Sequence, residues 1–196
     1  MRKAAAGPRR TTVKTRKTAV RPQKAPGKPQ KAAAGPRKAP AKPRSAARSV
    51  EVVLDGAAPR AAAAPLARFC GKALRTAGYS QWEVAVLLCG DARIQELNHK
   101  YRGKWAATDV LSFPREGGRK GDPVCGDLAV SLDTLSRNAD RFGTSENEEM
   151  KRLLVHGLLH LAGMDHGTGR TGKMLALQER LLTGLRSEQI YGEKRR

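Results

Sequence analysis

The chain has 196 residues with 38 Lys and Arg against 18 Asp and Glu, which gives a formal net charge of +20. The excess lies in residues 1–50, which contain sixteen Lys and Arg and no acidic residue, whereas the rest of the chain carries twenty-two basic and eighteen acidic side chains. No run of about 18 apolar residues occurs, so no membrane span is expected, and three widely spaced cysteines do not make a disulfide framework.

Residues 1–48 are predicted to form a disordered basic tail. Seven of the eleven prolines and none of the eight aromatic residues lie in the first fifty residues, so this segment cannot bury enough apolar surface to offset the entropy of ordering it. Its one-sided charge favours binding to nucleic-acid phosphates without recognition of sequence. The alternative is an extension that only improves solubility. No apolar segment typical of a secretory signal is present, so a reduced, cytoplasmic setting is expected.

The remainder, residues 49–196, is predicted to form a single α/β domain, in which strands alternate with helices around a mixed sheet of about four strands. An apolar run at 84–88 is typical of a strand inside the sheet. Gly78 is expected to end the first helix, Asp91 to cap the second and Ser145 to cap the fourth. The predicted strands cover 50–54, 81–88, 109–113 and 127–131, and the predicted helices cover 59–77, 92–101, 133–141, 146–162 and 172–185.

Three of the four histidines lie within eleven residues, at the end of the fourth predicted helix. His156 and His160 are four residues apart, so their imidazoles leave the same helix face about one turn apart. Gly163 can adopt a positive φ and end the helix, which would bring His166 back towards the same point. Three imidazoles are three of the four ligands of a tetrahedral zinc ion, and an open fourth position is typical of catalytic sites. His99 stands apart and is expected to be an ordinary residue.

The spacing of these histidines, with a glycine between the second and the third, is that of the metzincin peptidases, H-E-x-x-H-x-x-G-x-x-H. A zinc peptidase needs a glutamate directly after the first histidine, as the general base for the metal-bound water. This chain has Gly157 at that position. The pattern therefore predicts a zincin-like metal site with three histidines and argues against proteolysis.

Two further motifs accompany the histidine segment 156–166, which ends in an Asp-His pair. Residues 97–104 read LNHKYRGK and are followed at 108–114 by TDVLSFP, and residues 126–131 read GDLAVS. In this order, the three motifs resemble the signatures of the YbeY family, the bacterial metal-dependent endoribonucleases of ribosomal RNA maturation. The resemblance extends from about residue 50 to residue 185, so the basic tail lies outside it.

The resemblance implies that His156, His160 and His166 hold one zinc ion at the mouth of a positively charged cleft. It further implies a single-strand-specific endoribonuclease that processes ribosomal RNA, notably the 3′ end of the small-subunit species. Ribosome quality control and a partnership with the small ribosomal subunit belong to the same implication, and Arg102 becomes the functionally essential arginine. A ribosome-assembly factor with a mainly structural zinc is the alternative, and a zinc peptidase is a third possibility that Gly157 disfavours.

The second signature offers residue types that suit contact with RNA. The guanidinium of Arg102 can bind two phosphate oxygens on which charge grows during hydrolysis, or it can simply complement a helix dipole. Tyr101 can stack on a base and Lys104 can contact the substrate, although an aromatic residue near a helix end is more often part of a core. Asp109 and Asp127, each at a predicted strand start, could orient a histidine or cap a turn.

Overall fold

A computed structural model describes residues 48–56, 61–115, 122–165 and 172–192, which form one α/β domain. The predicted tail falls outside the described residues except for Arg48, which is the first residue of the first strand. The strands are β1 (Arg48–Leu54), β2 (Trp82–Cys89), β3 (Val110–Pro114) and β4 (Val124–Ser131), and the helices are α1 (Ala63–Thr76), α2 (Asp91–Arg102), α3 (Leu132–Phe142), α4 (Glu146–Leu161) and α5 (Lys173–Gly184). None of the helices described is long and apolar enough to cross a membrane.

The strands form one mixed sheet in the order β1-β2-β4-β3. β1, β2 and β4 run parallel, and β3 pairs antiparallel with β4. β2 therefore lies inside the sheet, as its apolar run predicted. Trp82 pairs in register with Arg48 on one side and with Val124 on the other, so the three parallel strands begin at the same end of the sheet. The predicted fold class is confirmed.

The helices cover the two faces of this sheet unequally. Leu158 of α4 and Leu181 of α5 are buried in a large core that includes Leu128 of β4. α2 covers the opposite face, where Ile94 lies in a smaller cluster with Ala129 of the same strand. Because neighbouring residues of a strand point to opposite faces, Leu128 and Ala129 separate the two cores. The histidine helix α4 and the helix α2 therefore lie on opposite faces.

α1 begins at Ala63, later than the predicted residue 59. Pro65 explains the difference, because a proline is tolerated in the first turn, where the missing N–H would have no partner within the helix. A helix starting at residue 59 would place this proline in its interior. At the other end, Gly78 follows the last residues of the helix with a φ of 93°, as predicted.

The prediction that Asp91 caps α2 is wrong, because the N-cap residue is Gly90 and Asp91 is the first residue of the helix. Its carboxylate instead binds side chains at the beginning of α3. There it accepts hydrogen bonds from Ser131 Oγ at 2.6 Å and from Thr134 Oγ1 at 2.8 Å. In return, the carboxylate of Asp133 accepts the backbone N–H of Asp91 at 2.9 Å. The N-termini of the two helices are thus tied together by side chains far apart in sequence.

β4 begins at Val124, earlier than the predicted residue 127. Gly126 lies within this strand, and a residue without a Cβ is required at this position. Its φ is 154°, and a Cβ at this position would lie 2.5 Å from the carbonyl oxygen of Phe113 and 2.8 Å from Cδ2 of Leu161. The backbone of β3 and the end of α4 both approach β4 at this glycine.

Candidate functional site

The start of the histidine helix α4 is formed as the sequence predicts. Ser145 is the N-cap residue, and its Oγ accepts a hydrogen bond from the backbone N–H of Glu148 at 3.1 Å. Acidic residues in the first turn also favour this end of the helix dipole. The helix ends in a reversal at Gly163, which has a φ of 76°, and the N–H of Met164 donates to the carbonyl of Leu159 at 3.0 Å.

The helix places the first two predicted metal ligands side by side. The Nε2 atoms of His156 and His160 are 3.2 Å apart, and the two rings are inclined at 76° with centroids 4.8 Å apart. His166, the third predicted ligand, lies outside the described residues. Within the part of the chain that the structure describes, no three or more His, Cys, Asp or Glu residues form a group that could hold a metal ion.

The other nitrogen of each ring is held by a neighbouring acceptor. Nδ1 of His160 lies 3.0 Å from the backbone carbonyl oxygen of Met164, and Nδ1 of His156 lies 3.0 Å from Oε1 of Gln178. A carbonyl oxygen can only accept, so Nδ1 of His160 carries the proton in the neutral ring and Nε2 carries the lone pair. Nε2 of His156 either donates a proton to this lone pair or shares a cation with it.

This arrangement has the donor chemistry of a zinc site. Zinc-binding histidines almost always donate their second ring N–H to a carbonyl, carboxylate or water, which fixes the tautomer and the ring orientation. Met164 and Gln178 provide such acceptors for His160 and His156. The two residues described here therefore fit a zinc ion, and the predicted third ligand would complete a set of three imidazoles.

Position 157 faces the sheet at close range. A Cβ added to Gly157 would lie 2.8 Å from Cδ2 of the buried Leu128 and 3.4 Å from Oγ of Ser112. The glutamate that a zinc peptidase carries at this position would push into β4 instead of reaching a metal-bound water. The geometry thus adds a steric reason to the chemical one against proteolysis.

The three predicted RNA-contacting residues lie at the C-terminal end of α2. Arg102 is the last residue of the helix, Gly103 follows with a φ of 69°, and Lys104 is exposed. The side chain of Arg102 is exposed and makes no hydrogen bond or ion pair within the part of the chain described. Tyr101 is 58% exposed and contacts the ring of Phe113 edge-on, so it is not a core residue.

Asp109 and Asp127, which were both predicted to begin a strand, make structural contacts. Asp109 accepts the backbone N–H of Val110 at 2.9 Å and lies 3.4 Å from Nη2 of Arg152, which is one turn before His156 on α4. Hydrogen bonds to Glu149, together with Asp109, raise the pKa of Arg152 above its ordinary value, despite the opposing effect of burial. This arginine therefore stays charged and joins the start of β3 to the histidine helix.

Asp127 lies within β4 and pairs with Nη2 of Arg115 at 3.1 Å.

Gln178 was not anticipated from the sequence as a functional residue. It is only 5% exposed on α5, and its contact with His156 spans 22 residues. The spacing of neighbouring residues in the sequence does not predict such a contact. By contrast, the contact between His160 and Met164 spans four residues and belongs to the predicted turn at Gly163.

Known proteins share both the sequence and the fold. The family described as Endoribonuclease YbeY matches residues 59–186. The chain is 40% identical over 139 residues to Endoribonuclease YbeY of Treponema pallidum (strain Nichols), covering 68% of this chain and 87% of that protein. The chain is 42% identical over 130 residues to Endoribonuclease YbeY of Treponema denticola, covering 63% of this chain and 83% of that protein. The solution structure of TM1509 from Thermotoga maritima has the same fold, with a TM-score of 0.50 and 24% identity over 70% of this chain and 92% of that one. The chain therefore belongs to the YbeY endoribonuclease family.

Proposed function

We propose that this chain is a zinc-dependent endoribonuclease that cleaves single-stranded RNA during the maturation of ribosomal RNA. We place its action at the 3′ end of the small-subunit RNA and in ribosome quality control, in the cytoplasm, with the small ribosomal subunit as its partner. Family membership supports the endoribonuclease activity. The observation that carries the zinc dependence is the 3.2 Å approach of Nε2 of His156 to Nε2 of His160.

The residues that would hold the ion are His156, His160 and His166. When bound, zinc supplies Lewis acidity and lowers the pKa of a bound water towards 7. The chain itself contributes orientation. Oε1 of Gln178 and the carbonyl oxygen of Met164 each lie 3.0 Å from Nδ1 of one described histidine, and these contacts direct the two Nε2 atoms towards one place.

Arg102 supplies the positive charge for the phosphate. Its guanidinium is exposed and has no carboxylate partner among the described residues, so a phosphate does not have to displace one. A guanidinium can bind two phosphate oxygens at once, and Lys104 adds a second exposed cation beside it. Charge on the nonbridging oxygens grows in the transition state, so this interaction strengthens as the reaction proceeds.

The position of these residues favours a single-stranded substrate. α2 and α4 lie on opposite faces of the sheet, and β3 forms the edge of the sheet between them. An RNA that contacts both Arg102 and the histidines would therefore pass from one face of the sheet to the other. A single strand can do so, whereas an A-form duplex resists the distortion.

The proposal is tested by metal analysis together with RNA cleavage. The purified protein is analysed for zinc and then incubated with a labelled single strand or with the same strand annealed to its complement. We expect one zinc per chain, cleavage of the single strand only, loss of cleavage with a chelator and recovery with added zinc. Cleavage that persists in the chelator would overturn zinc dependence. A protein that binds zinc and RNA but cuts neither substrate would instead be the assembly factor with a structural metal.

A further inference from the structure

A basic depression lies between α1 and β1, on the same face of the sheet as α4 but away from the histidines. Its volume is about 720 Å³, and we call it the α1 groove. Gly71 of α1 and Trp82 of β2 line it, and Glu188 is the one acidic residue among the described residues that line it. Its cationic lining residues are Arg48, Arg68, Lys72 and Arg75.

The cations of α1 form a row along one side of the helix. Arg68, Lys72 and Arg75 are four and three residues apart, so they share a face and span about 10 Å along the helix axis. Like charges at this spacing destabilise a helix. α1 contains no acidic residue that would offset them. Lys72 pairs with Glu188, whereas Arg68 and Arg75 have no ion-pair partner among the described residues.

Two of the guanidinium groups are held in place by an aromatic ring. Arg48 and Arg75 lie 5.7 Å and 5.9 Å from the ring centroid of Trp82, which is only 3% exposed. Nε of Arg48 also donates to the carbonyl oxygen of Ser80 at 2.8 Å. Within the part of the chain that the structure describes, the terminal N–H groups of both arginines have no hydrogen-bond or ion-pair partner. Charged groups that are ordered before binding lose less entropy when an anion arrives.

The α1 groove lies at the same end of the sheet as the end of α4. Arg48 and Trp82 begin β1 and β2. A Cβ on Gly126, near the start of β4, would lie 2.8 Å from Cδ2 of Leu161, the residue after His160. β1 and β4 are separated only by β2, which corresponds to roughly 10 Å across the sheet. A single extended strand can therefore occupy the groove and the histidine site together.

We propose that the α1 groove binds the phosphate backbone of single-stranded RNA, as a second contact outside the cleavage site. The ordered arginines and the shared end of the sheet favour RNA over an acidic polypeptide, the other class of polyanion that this charge could bind. The buried Trp82 cannot stack on a base, so the groove contacts phosphates and does not read sequence. That RNA is the ligand rests on the proposed function.

The test compares the salt dependence of RNA binding in the full-length chain and in Arg68→Gln/Arg75→Gln. Binding to a long, labelled single strand is measured in the cold, and a gel confirms that the strand stays intact. Each lost phosphate contact should reduce the slope of log K against log salt by about 0.7, so the double variant should lose about 1.4. The ratio of wild-type to variant affinity should then fall about sevenfold between 50 and 200 mM salt.

The matched control is Arg141→Gln/Arg180→Gln, which removes the same charge from exposed positions on α3 and α5. Its slope should stay near that of the wild type. An unchanged slope in the groove variant, or equal changes in both variants, would overturn the proposal. Binding to polyglutamate, as the acidic polypeptide, is measured in the same way. A groove variant that loses polyglutamate binding but keeps RNA binding would also overturn the proposal. Cleavage of a short oligonucleotide, measured separately, should be the same in all three proteins. If no protein cuts it, the proposed function fails while the binding result stands.

Discussion

Nδ1 of His160 lies 3.0 Å from the backbone carbonyl oxygen of Met164, in the turn that ends α4 at Gly163. One short segment therefore both ends the helix and orients the ring of a predicted metal ligand. The glycine and the histidine thus depend on each other.

Replacement of His160 by Ala should abolish stable zinc binding. The variant loses one of the three proposed imidazole ligands. The lost ring is the one whose Nε2 lies 3.2 Å from Nε2 of His156. Metal analysis after gel filtration is the measurement, with His99→Ala as the matched control. His99 is exposed and packs edge-on against Trp105, so its removal should leave the zinc content unchanged. An unchanged zinc content in His160→Ala would contradict the assignment of this ligand.

Replacement of Gln178 by Ala should lower zinc affinity by roughly 10–100-fold, the usual effect of removing the acceptor behind a ligating histidine. The acceptor Oε1 lies 3.0 Å from Nδ1 of His156. Competition with a chromogenic chelator measures the affinity. Gln178→Glu keeps an acceptor at the same place and should restore most of the binding. Equal loss in both variants would show that the residue matters for packing alone.

The close approach of His156 and His160 could be predicted because the relationship between the two residues is local. Residues four apart share a helix face whatever the rest of the chain does, so His156 and His160 follow from spacing alone. The turn at Gly163 is equally local. Gln178 reaches His156 from another helix, 22 residues along the chain, and only the packing of α5 on α4 brings the two together.

The same distinction explains the errors in the predicted elements. Asp91 has the residue type and the position of a helix cap, but its partners Ser131 and Thr134 are 40 and 43 residues away. Gly126 argues locally against a strand, although the close approach of Phe113 requires a residue without a Cβ. Tertiary contacts decided both cases.

Replacement of Arg102 by Ala should reduce kcat by a larger factor than it raises KM. The reason is that its guanidinium meets charge that develops mainly in the transition state. Steady-state cleavage of a labelled single strand gives both constants. The matched variant is Arg102→Lys, which keeps the charge but loses the planar fork and should recover only part of kcat. A rise in KM alone would mean that Arg102 binds the ground state and contributes nothing specific to cleavage.

Replacement of Gly157 by Ala should destabilise the domain by about 1–3 kcal/mol, the usual cost of overpacking a core. The added Cβ would lie 2.8 Å from Cδ2 of Leu128, which is buried and has little room to move. Urea unfolding measures the change. Gly184→Ala, near the end of α5, has no atom within 4 Å of the added Cβ and should be neutral or stabilising. Equal stability of the two variants would contradict the close packing of α4 on β4.

The acid sensitivity of the fold should depend on Asp91. Burial alone would raise the pKa of its carboxyl, but hydrogen bonds from Ser131, Thr134 and Arg137 outweigh this effect and hold the pKa below its ordinary value of 3.8. A carboxyl with a lower pKa in the folded state stabilises the fold at pH values above the unfolded pKa. That stabilisation is lost as the pH falls through the folded value.

Urea unfolding of the wild type and of Asp91→Ala at neutral pH and near pH 3 tests this expectation. At neutral pH the variant should be less stable by about 1–2 kcal/mol, the net contribution of hydrogen bonds of this kind. The difference should shrink on acidification, because the stabilisation that the lowered pKa provides is progressively lost below the pKa of the unfolded state. Glu179→Ala, an exposed residue of α5, should show a difference near zero at both pH values. A gap between wild type and Asp91→Ala that persists unchanged at low pH would mean that the charge of Asp91 does not stabilise the joined ends of α2 and α3.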